Sequence, residues 1–282
     1  MRGILILASL FVAANSADAL RIYQPSSAER TMTAERVFVG IVSNIEEMTE
    51  EVKDGPNSKE TTTYTVAVVK ILDPIKGVDK LTHIRVGFIL QGYQQTDRFE
   101  GFGEERPINL VKGEKYLFHV NKHRSAGFNV SLNPYLLTDK ETNAAMVNEA
   151  KVAALVLTDP MKALKAEKTQ DRALAAMLLL MRYRTADQAL ATRGPVTRVP
   201  LDAEENAAIL KSVVEGDWTA PVYGYVRLSE ITSYTHTDVA WKPPVVPAGG
   251  NAELVNQKAF QDWLAGPGAK FCFQKFVAKV KK

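Results

Sequence analysis

Residues Thr61 to Gly77 (TTTYTVAVVKILDPIKG) constrain this chain more than any other stretch. Tyr64, Val66 and Val68 alternate with Thr65, Ala67 and Val69, and the run closes on Asp73-Pro74 and Lys76-Gly77. β-Branched and aromatic residues at this density favour a pleated strand. Apolar side chains on both faces require cover on both sides, as in a closed barrel or a sandwich. The fold must therefore supply partner strands and two covering layers.

The flanking sequence offers them. Leu20 to Thr33 is polar, contains Pro25, and reads as a lead-in loop. Ala34 to Ser43 (AERVFVGIVS) is a predicted strand whose interior Gly40 marks a bulge or bend. Thr82 to Leu90 (THIRVGFIL) alternates cleanly, with Ile84, Val86 and Phe88 on one face and His83 and Arg85 on the other. Lys115 to Asn121 (KYLFHVN) and Phe128 to Leu132 (FNVSL) complete the set, and Pro134 ends it. Between them, Gln91 to Asn109 is a polar loop with Tyr93, Phe99 and Phe102. Loops longer than about fifteen residues in a compact domain are usually functional or disordered, so this one is the candidate recognition loop. Five strands with a long excursion predict a small Greek-key barrel of the oligonucleotide/oligosaccharide-binding (OB) type.

The order of these segments carries a resemblance: AERVFVGIV, then TYTVAVVKIL ending in Lys76-Gly77, then IRVGF, then Gly113-Glu114-Lys115-Tyr116-Leu117-Phe118. It resembles the netrin-like domain family, which includes the tissue inhibitors of metalloproteinases, over residues Ala34 to Leu137. The resemblance implies a five-stranded barrel and a binding or inhibitory role rather than catalysis. The inhibitor members chelate a protease zinc through an N-terminal cysteine and carry disulfides across the barrel. This chain has no cysteine in its barrel half, so that mechanism does not transfer.

After Pro134 the signals become helical. Thr138 with Glu141 is a capping-box pattern. Asp159-Pro160 is an N-cap followed by proline at the first helical position. Thr169 to Arg184 (TQDRALAAMLLLMRYR) is apolar nearly all round, which indicates burial between other helices; the Met177/Met181 pair within it reads as core. Ala186 to Pro200, with Arg193-Gly194-Pro195, reads as an exposed connector. Asp202 and Glu205 repeat the capping pattern, and Gly216 is placed as a C-terminal cap. Tyr223 to Ile231 fits helix or strand equally. Trp241 to Pro247 has Pro-x-x-Pro spacing, readable as a polyproline ligand or as a stiff spacer, with the spacer preferred. Asn256 is the expected cap of a last helix through Phe260, Trp263 and Leu264.

Arg2, the apolar Ile4–Ala14 run and Ala17-Asp18-Ala19 form a signal-peptide pattern with cleavage after Ala19. Its apolar run falls short of the roughly twenty residues that span a bilayer, and no later run is long enough. The expected location is therefore secreted or periplasmic, without a stable membrane span after cleavage. The single cysteine, Cys272 between Phe271 and Phe273, reads as a small buried hydrophobe. Leu20 to Ala150 holds 16 basic and 18 acidic residues, and Lys151 to Lys282 holds 18 and 13. Lys270, Lys275, Lys279, Lys281 and Lys282 crowd the end. Such a tail is either a solvated terminus or a contact for an anionic surface. No contiguous basic stripe interleaved with aromatics points to nucleic acid.

Catalytic patterns are missing from the linear sequence. The four histidines are His83, His119, His123 and His236, and no Gly-x-Ser-x-Gly elbow accompanies them. His119 and His123 have the spacing of helical metal ligands but fall at the end of a predicted strand. Glu46, Glu47, Glu50 and Glu51 read as a solvated acidic face before the turn Asp54 to Ser58. No phosphate loop or dinucleotide fingerprint is present, so no cofactor is expected.

The predicted fold class is thus α+β. A signal peptide covers 1–19, and a five-stranded Greek-key (OB-like) β-barrel covers 20–137. A small helical domain over 138–240 follows, then a Pro/Gly linker, short helix and basic tail over 241–282. The expected function is that of an exported, non-catalytic binding protein with a protein or polysaccharide partner. The alternatives are an inhibitor of an extracytoplasmic enzyme, or an enzyme with a site assembled from scattered residues.

Overall fold

The structure, a computed structural model, describes residues 25–53, 59–89, 109–131, 133–184, 196–224, 226–231 and 241–278. The signal segment, the turn Asp54 to Ser58, nearly all of the Gln91–Asn109 loop, Arg193-Gly194-Pro195, His236 and the last three lysines lie outside them.

The opening strand becomes the backbone of the larger sheet. It is β3 (Thr61–Lys76), sixteen residues long, and it runs through Pro74 rather than stopping there. The proline is tolerated because the β1–β3 pairing is shifted by a bulge between Val37 and Phe38, whose partner is Pro74. β3 pairs antiparallel with β1 (Arg36–Ile45), β2 (Glu50–Lys53) and β4 (His83–Phe88). β5 (Lys115–Lys122) pairs antiparallel with β1 and with β6 (Asn129–Val130), and β6 runs parallel to β4. The pairings β1–β3–β4–β6–β5–β1 therefore close into a ring. β7 (Tyr135–Leu136) adds to β5. The sequence placed helix after Pro134, and this short strand escaped it.

Alternation along β1 sorts its side chains. Phe38 and Val42 join Ala67, Val69, Ile84, Val86, Phe88, Tyr116, Phe118 and Val120 in the ring's interior, where Phe38 stacks on Phe118 at 5.0 Å. Val37 and Val39 face the other way, with Leu117, and are covered by Ala150, Met146 and Val147 of a long helix. Gly40 sits at a further register shift, where a Cβ would lie 2.5 Å from Val69 Cγ1. The close approach of β3 therefore requires glycine at that bend.

Six helices are described: α1 (Ser27–Thr33), α2 (Lys140–Thr158), α3 (Pro160–Leu164), α4 (Thr169–Arg184), α5 (Ala203–Glu215) and α6 (Ala252–Ala265). α1 lies where a lead-in loop was expected. Ser26 and Glu29 form a full capping box around it, and Lys76 of β3 donates to the carbonyls of Thr31 (2.9 Å) and Ala34 (2.5 Å) at its far end. Both ends of this short helix are thus satisfied from outside its own ladder.

Two caps move from their expected places, while Gly216 closes α5 as expected. Asp139, not Thr138, caps α2; Asn251, not Asn256, caps α6. Gly216 follows α5 with φ −70, so no left-handed turn needs it. Glycine is required there because a Cβ would sit 2.3 Å from Leu228 Cδ1. Asp159 before Pro160 and Asp202 before Ala203 cap as expected. Tyr223 to Ile231 resolves into strand and 3-10 turn: β9 (Pro221–Tyr223) pairs with β10 (Val226–Arg227), and Leu228–Glu230 coils after them.

Half of α2 with α3, α4 and α5 forms a second buried cluster. All eight residues from Ala173 to Leu180 are inside it, as the all-round apolar pattern of α4 predicts. The expected linker and tail contribute to the same cluster. Trp241 is buried against Phe260 and Trp263, and Phe271 and Phe273 pack edge to face at 4.7 Å. Beyond them β11 (Gln274–Ala278) pairs antiparallel with β8 (Val196–Pro200), part of the expected connector. The architecture is mixed α+β, and no helix among the described residues is long and apolar enough to cross a membrane.

Candidate functional site

Outward-facing residues of β3 make the floor of a groove. Tyr64 and Val66 point away from the ring's interior and meet Phe128, with Ile89 and Val130 packed alongside. Alternation places them there: Thr65, Ala67 and Val69 occupy the opposite face. The turn His123 to Phe128 folds back over this floor, closed by a hydrogen bond from His123 N–H to the Phe128 carbonyl at 3.1 Å. Tyr64, His123 and Phe128 then form a three-ring cluster with centroid separations of 5.2 to 5.5 Å. Backbone N–H of Ser125 donates to His123 Nδ1 at 3.1 Å, which leaves Nε2–H as the ring's donor when the imidazole is neutral.

The groove has a volume of about 370 Å³ and is lined by Thr62, Tyr64, Ile89, Asn121, Lys122, His123, Arg124 and Val130. No carboxylate is among the described residues that line it. An apolar, aromatic floor is rimmed by a hydroxyl, an amide, an imidazole and two cations. That chemistry suits a ligand segment that carries acidic or hydroxyl groups beside apolar surface. Glu35 stands behind one wall, where its carboxylate accepts from Lys122 N–H at 3.1 Å.

Below the groove the acidic stretch has a definite role. Arg85 of β4 donates through Nε and Nη2 to Glu46 at 2.8 and 2.7 Å, and through Nη2 to Glu50 at 2.5 Å. The Arg85 hydrogen bonds hold the Glu46 carboxyl below its usual range. Glu51 accepts from Thr61 across the β2–β3 pair at 2.6 Å. A solvated acidic face was expected; Glu46 and Glu50 instead tie the β1–β2 turn to Arg85. All three partners remain more than a quarter exposed, so the ties orient the turn more than they stabilise it.

The histidine pair does not converge. His119 faces outward from β5 but lies under α1, with Nε2 3.1 Å from Thr31 Oγ1. Thr31 spends its own hydroxyl proton on the Ser27 carbonyl at 2.8 Å, so His119 donates from Nε2, and its buried Nδ1 has no hydrogen-bond partner. His123 belongs to the groove. His83 is exposed beside Thr82. Among the described residues no three His, Cys, Asp or Glu side chains are grouped to hold a metal.

A buried and a half-buried group near α1 titrate in opposite senses. Burial, with Arg30 and Lys76 nearby, pulls His119 down from 6.5 to about 3. Burial, opposed by a hydrogen bond from the Ala28 backbone and assisted by Glu29, pushes Glu149 of α2 up from 4.5 to about 7. Between 4.5 and about 7 the folded chain keeps a proton on Glu149 that the unfolded chain has lost, so this group lowers stability as pH rises. Between 6.5 and about 3 the unfolded chain binds a proton that folded His119 excludes, so this group lowers stability as pH falls. The slopes cancel where the windows overlap. Glu149→Gln is expected to uncover the His119 slope there, about 1.4 kcal/mol per pH unit in urea unfolding, with stability rising with pH. A flat profile in that variant would refute the assignment.

No family model matches the chain, and no curated protein matches it.

Proposed function

We propose that this chain is an exported, non-catalytic binding protein that captures an extended acidic partner, a polysaccharide or protein segment, in the Tyr64–His123 groove. The observation that carries this reading is the groove itself: an aromatic floor, two cations, a hydroxyl, an amide and an imidazole, with no acid among the described lining residues. Ser125 offers His123 its backbone N–H rather than its hydroxyl, so these two residues do not form a nucleophile and its base. The ring of strand pairs supports an OB-like Greek-key barrel. Taken in chain order, its five strands pair 1-2-3-5-4 and back to 1, with one parallel pair. That order also supports the netrin-like resemblance, in a version without cysteines. Secretion or periplasmic residence follows from the signal pattern over 1–19.

The test is titration of isotopically labelled protein with a panel of acidic and neutral oligosaccharides and acidic peptides. Shifts are expected to centre on Tyr64, Asn121, His123 and Val130. Lys122→Ala and Arg124→Ala are each expected to weaken binding about tenfold, the loss of one charge-assisted contact. Acidic ligands binding both variants as tightly as the unaltered chain would sink the reading.

A further inference from the structure

We propose that α1 is an acid-released strap, which lifts from β5 and α2 when His119 takes up a proton while the rest of the fold stays closed. The ring of His119 is enclosed where α1 crosses β5. Its Nε2 meets Thr31 of α1, the ring of Tyr135 of β7 stands edge-on at 5.9 Å, and β1 sets Val37 beside it in the ladder. Its Nδ1 is buried and has no hydrogen-bond partner among the described residues. A neutral ring tolerates that, because its bare nitrogen is only an acceptor. A protonated ring carries a second N–H there, with nothing to receive it.

The charges around the ring oppose that second proton. Arg30 of α1 and Lys76 of β3 act on it, and both are positive. The two acids at the junction are turned elsewhere. Glu29 receives the Ser26 backbone N–H in the capping box, and Glu149 of α2 receives a hydrogen bond from the Ala28 backbone. Lys76 is held in place, since its amine donates to the carbonyls of Thr31 and Ala34. Departure of α1 relieves the ring directly: water reaches it, and Arg30 leaves with the helix.

Little apolar burial holds α1 down. Only Ser27, Ala28 and Thr31 of the helix are buried, and all three are small; Met32 is half-buried. Its other ties are polar, from Ser27 Oγ to the Met146 carbonyl and from Arg30 to the Asn133 carbonyl, each at 2.8 Å, and water can replace them. A helix this short is marginal without outside contacts, and segments with few buried apolar contacts open locally. The hinge behind it is fixed. Ala34 is buried, Glu35 N–H donates to Asn121 Oδ1 at 2.8 Å, and Arg36 enters β1.

Two groups covered by α1 set the pH window. His119 titrates at about 3 when docked and at 6.5 when free, so it favours release by about tenfold per pH unit as pH falls through that interval. Glu149 titrates at about 7 under α1 and at 4.5 when free, so it favours docking as pH falls from 7 to 4.5. The two cancel from 6.5 to 4.5, and His119 acts alone below. Glu149 thereby sets where release starts. Release of α1 does not depend on what the groove binds.

The experiment is hydrogen exchange of the full chain, read residue by residue from pH 6.5 to 3, with and without low urea. Each rate is divided by its value in an unstructured chain. The amides of Arg30 and Ala34, which donate to the Ser26 and Arg30 carbonyls, are expected to keep level protection down to pH 4.5. They are then expected to lose about tenfold by pH 3, with little response to urea. The amides of Ala173 to Leu180 are expected to exchange by global unfolding, with the full urea response. Glu149→Gln is expected to move the onset up, with a loss of about fiftyfold between pH 6.5 and 4.5. His119→Gln keeps a donor for Thr31 and does not titrate, so protection of α1 is expected to rise down to pH 4.5 and to show no later fall. Should that variant fail to fold, the shifted onset in Glu149→Gln carries the test. A urea response in α1 equal to that of α4 overturns the proposal, because α1 then opens only with the whole fold. So does an acid-induced loss of protection that persists in His119→Gln, or an onset unmoved by Glu149→Gln.

Discussion

Trp218→Ala is expected to lower the free energy of unfolding by about 3–5 kcal/mol, the range for removing a fully buried aromatic side chain. Trp218 is wholly enclosed, 5.7 Å from the ring of Phe260, among side chains contributed by α4, α5 and the C-terminal segment. Two losses add. A cavity opens where neighbouring helices cannot close in, and the Val213 carbonyl loses the indole N–H that reaches it at 2.9 Å. Trp218→Phe separates the two, because it keeps most of the volume and gives up only the hydrogen bond and part of the ring. Its expected cost is about 1–2 kcal/mol. Denaturant unfolding monitored by circular dichroism measures both. A loss below about 1 kcal/mol for the alanine variant would mean that the surroundings collapse onto the site, contrary to the packing described.

Gly87→Ala is expected to cost about 1–3 kcal/mol and to disturb the groove at the same time. Gly87 is the point where β4 passes between β3 and β6, paired with Val66 on one side and Val130 on the other. A Cβ there would lie 2.3 Å from Phe128 Cε2 and 2.6 Å from Cδ2. The Phe128 ring is buried and held by Tyr64 and His123, so it has no open space to swing into. The penalty therefore comes from displaced aromatic packing, and Phe128 passes it to Tyr64 and His123, which line the groove. In a Phe128→Leu background the smaller side chain relieves the contact, and the Gly87→Ala penalty is expected to shrink by more than half. Neighbouring substitutions couple in this way, and a double-mutant cycle measures it. Additive losses, or His123 resonances unmoved by Gly87→Ala, would show that Phe128 does not transmit the change.

Both results depend on features with different visibility in the chain. The period-two pattern from Tyr64 to Val69 is local, so β3 and its two-sided burial were legible. The same holds for Ile84, Val86 and Phe88 on β4, and for the apolar middle of α4. Caps were legible to within a few residues only. Thr138 and Asp139 are adjacent oxygen-bearing side chains, and Asn251 and Asn256 lie five apart. Which one meets the free N–H groups depends on where packing starts the helix. The Ser26/Glu29 box was present in the letters, yet so short a helix is marginal without the outside donor Lys76, which lies 45 residues from Thr31.

The groove had no local signature. Tyr64, Ile89, Lys122–Arg124 and Val130 come together only because β3, β4, β5 and β6 close into a ring. The Gln91–Asn109 loop, favoured for its length and aromatics, lies almost wholly outside the described residues and so neither supports nor weakens that expectation. The contacts of Arg198 with Phe276 and of Lys275 with Tyr183 were hidden for a related reason, since antiparallel pairing and an adjacent helix end bring those partners together.

By itself, then, the sequence determined the α+β class, the central strand from Thr61, the helices that follow Pro134 and a C-terminal end rich in lysine. Each rests on side-chain periodicity or composition over a few neighbouring residues, and such patterns act through local backbone geometry. The tertiary structure alone decided that Trp241 and Phe273 belong to the core, that Gly216 yields to Leu228 and that His119 and His123 part company. It also decided that cations and rings meet at the groove. Those outcomes arise from contacts between residues far apart in the chain, and long-range packing leaves no mark on the order of the letters.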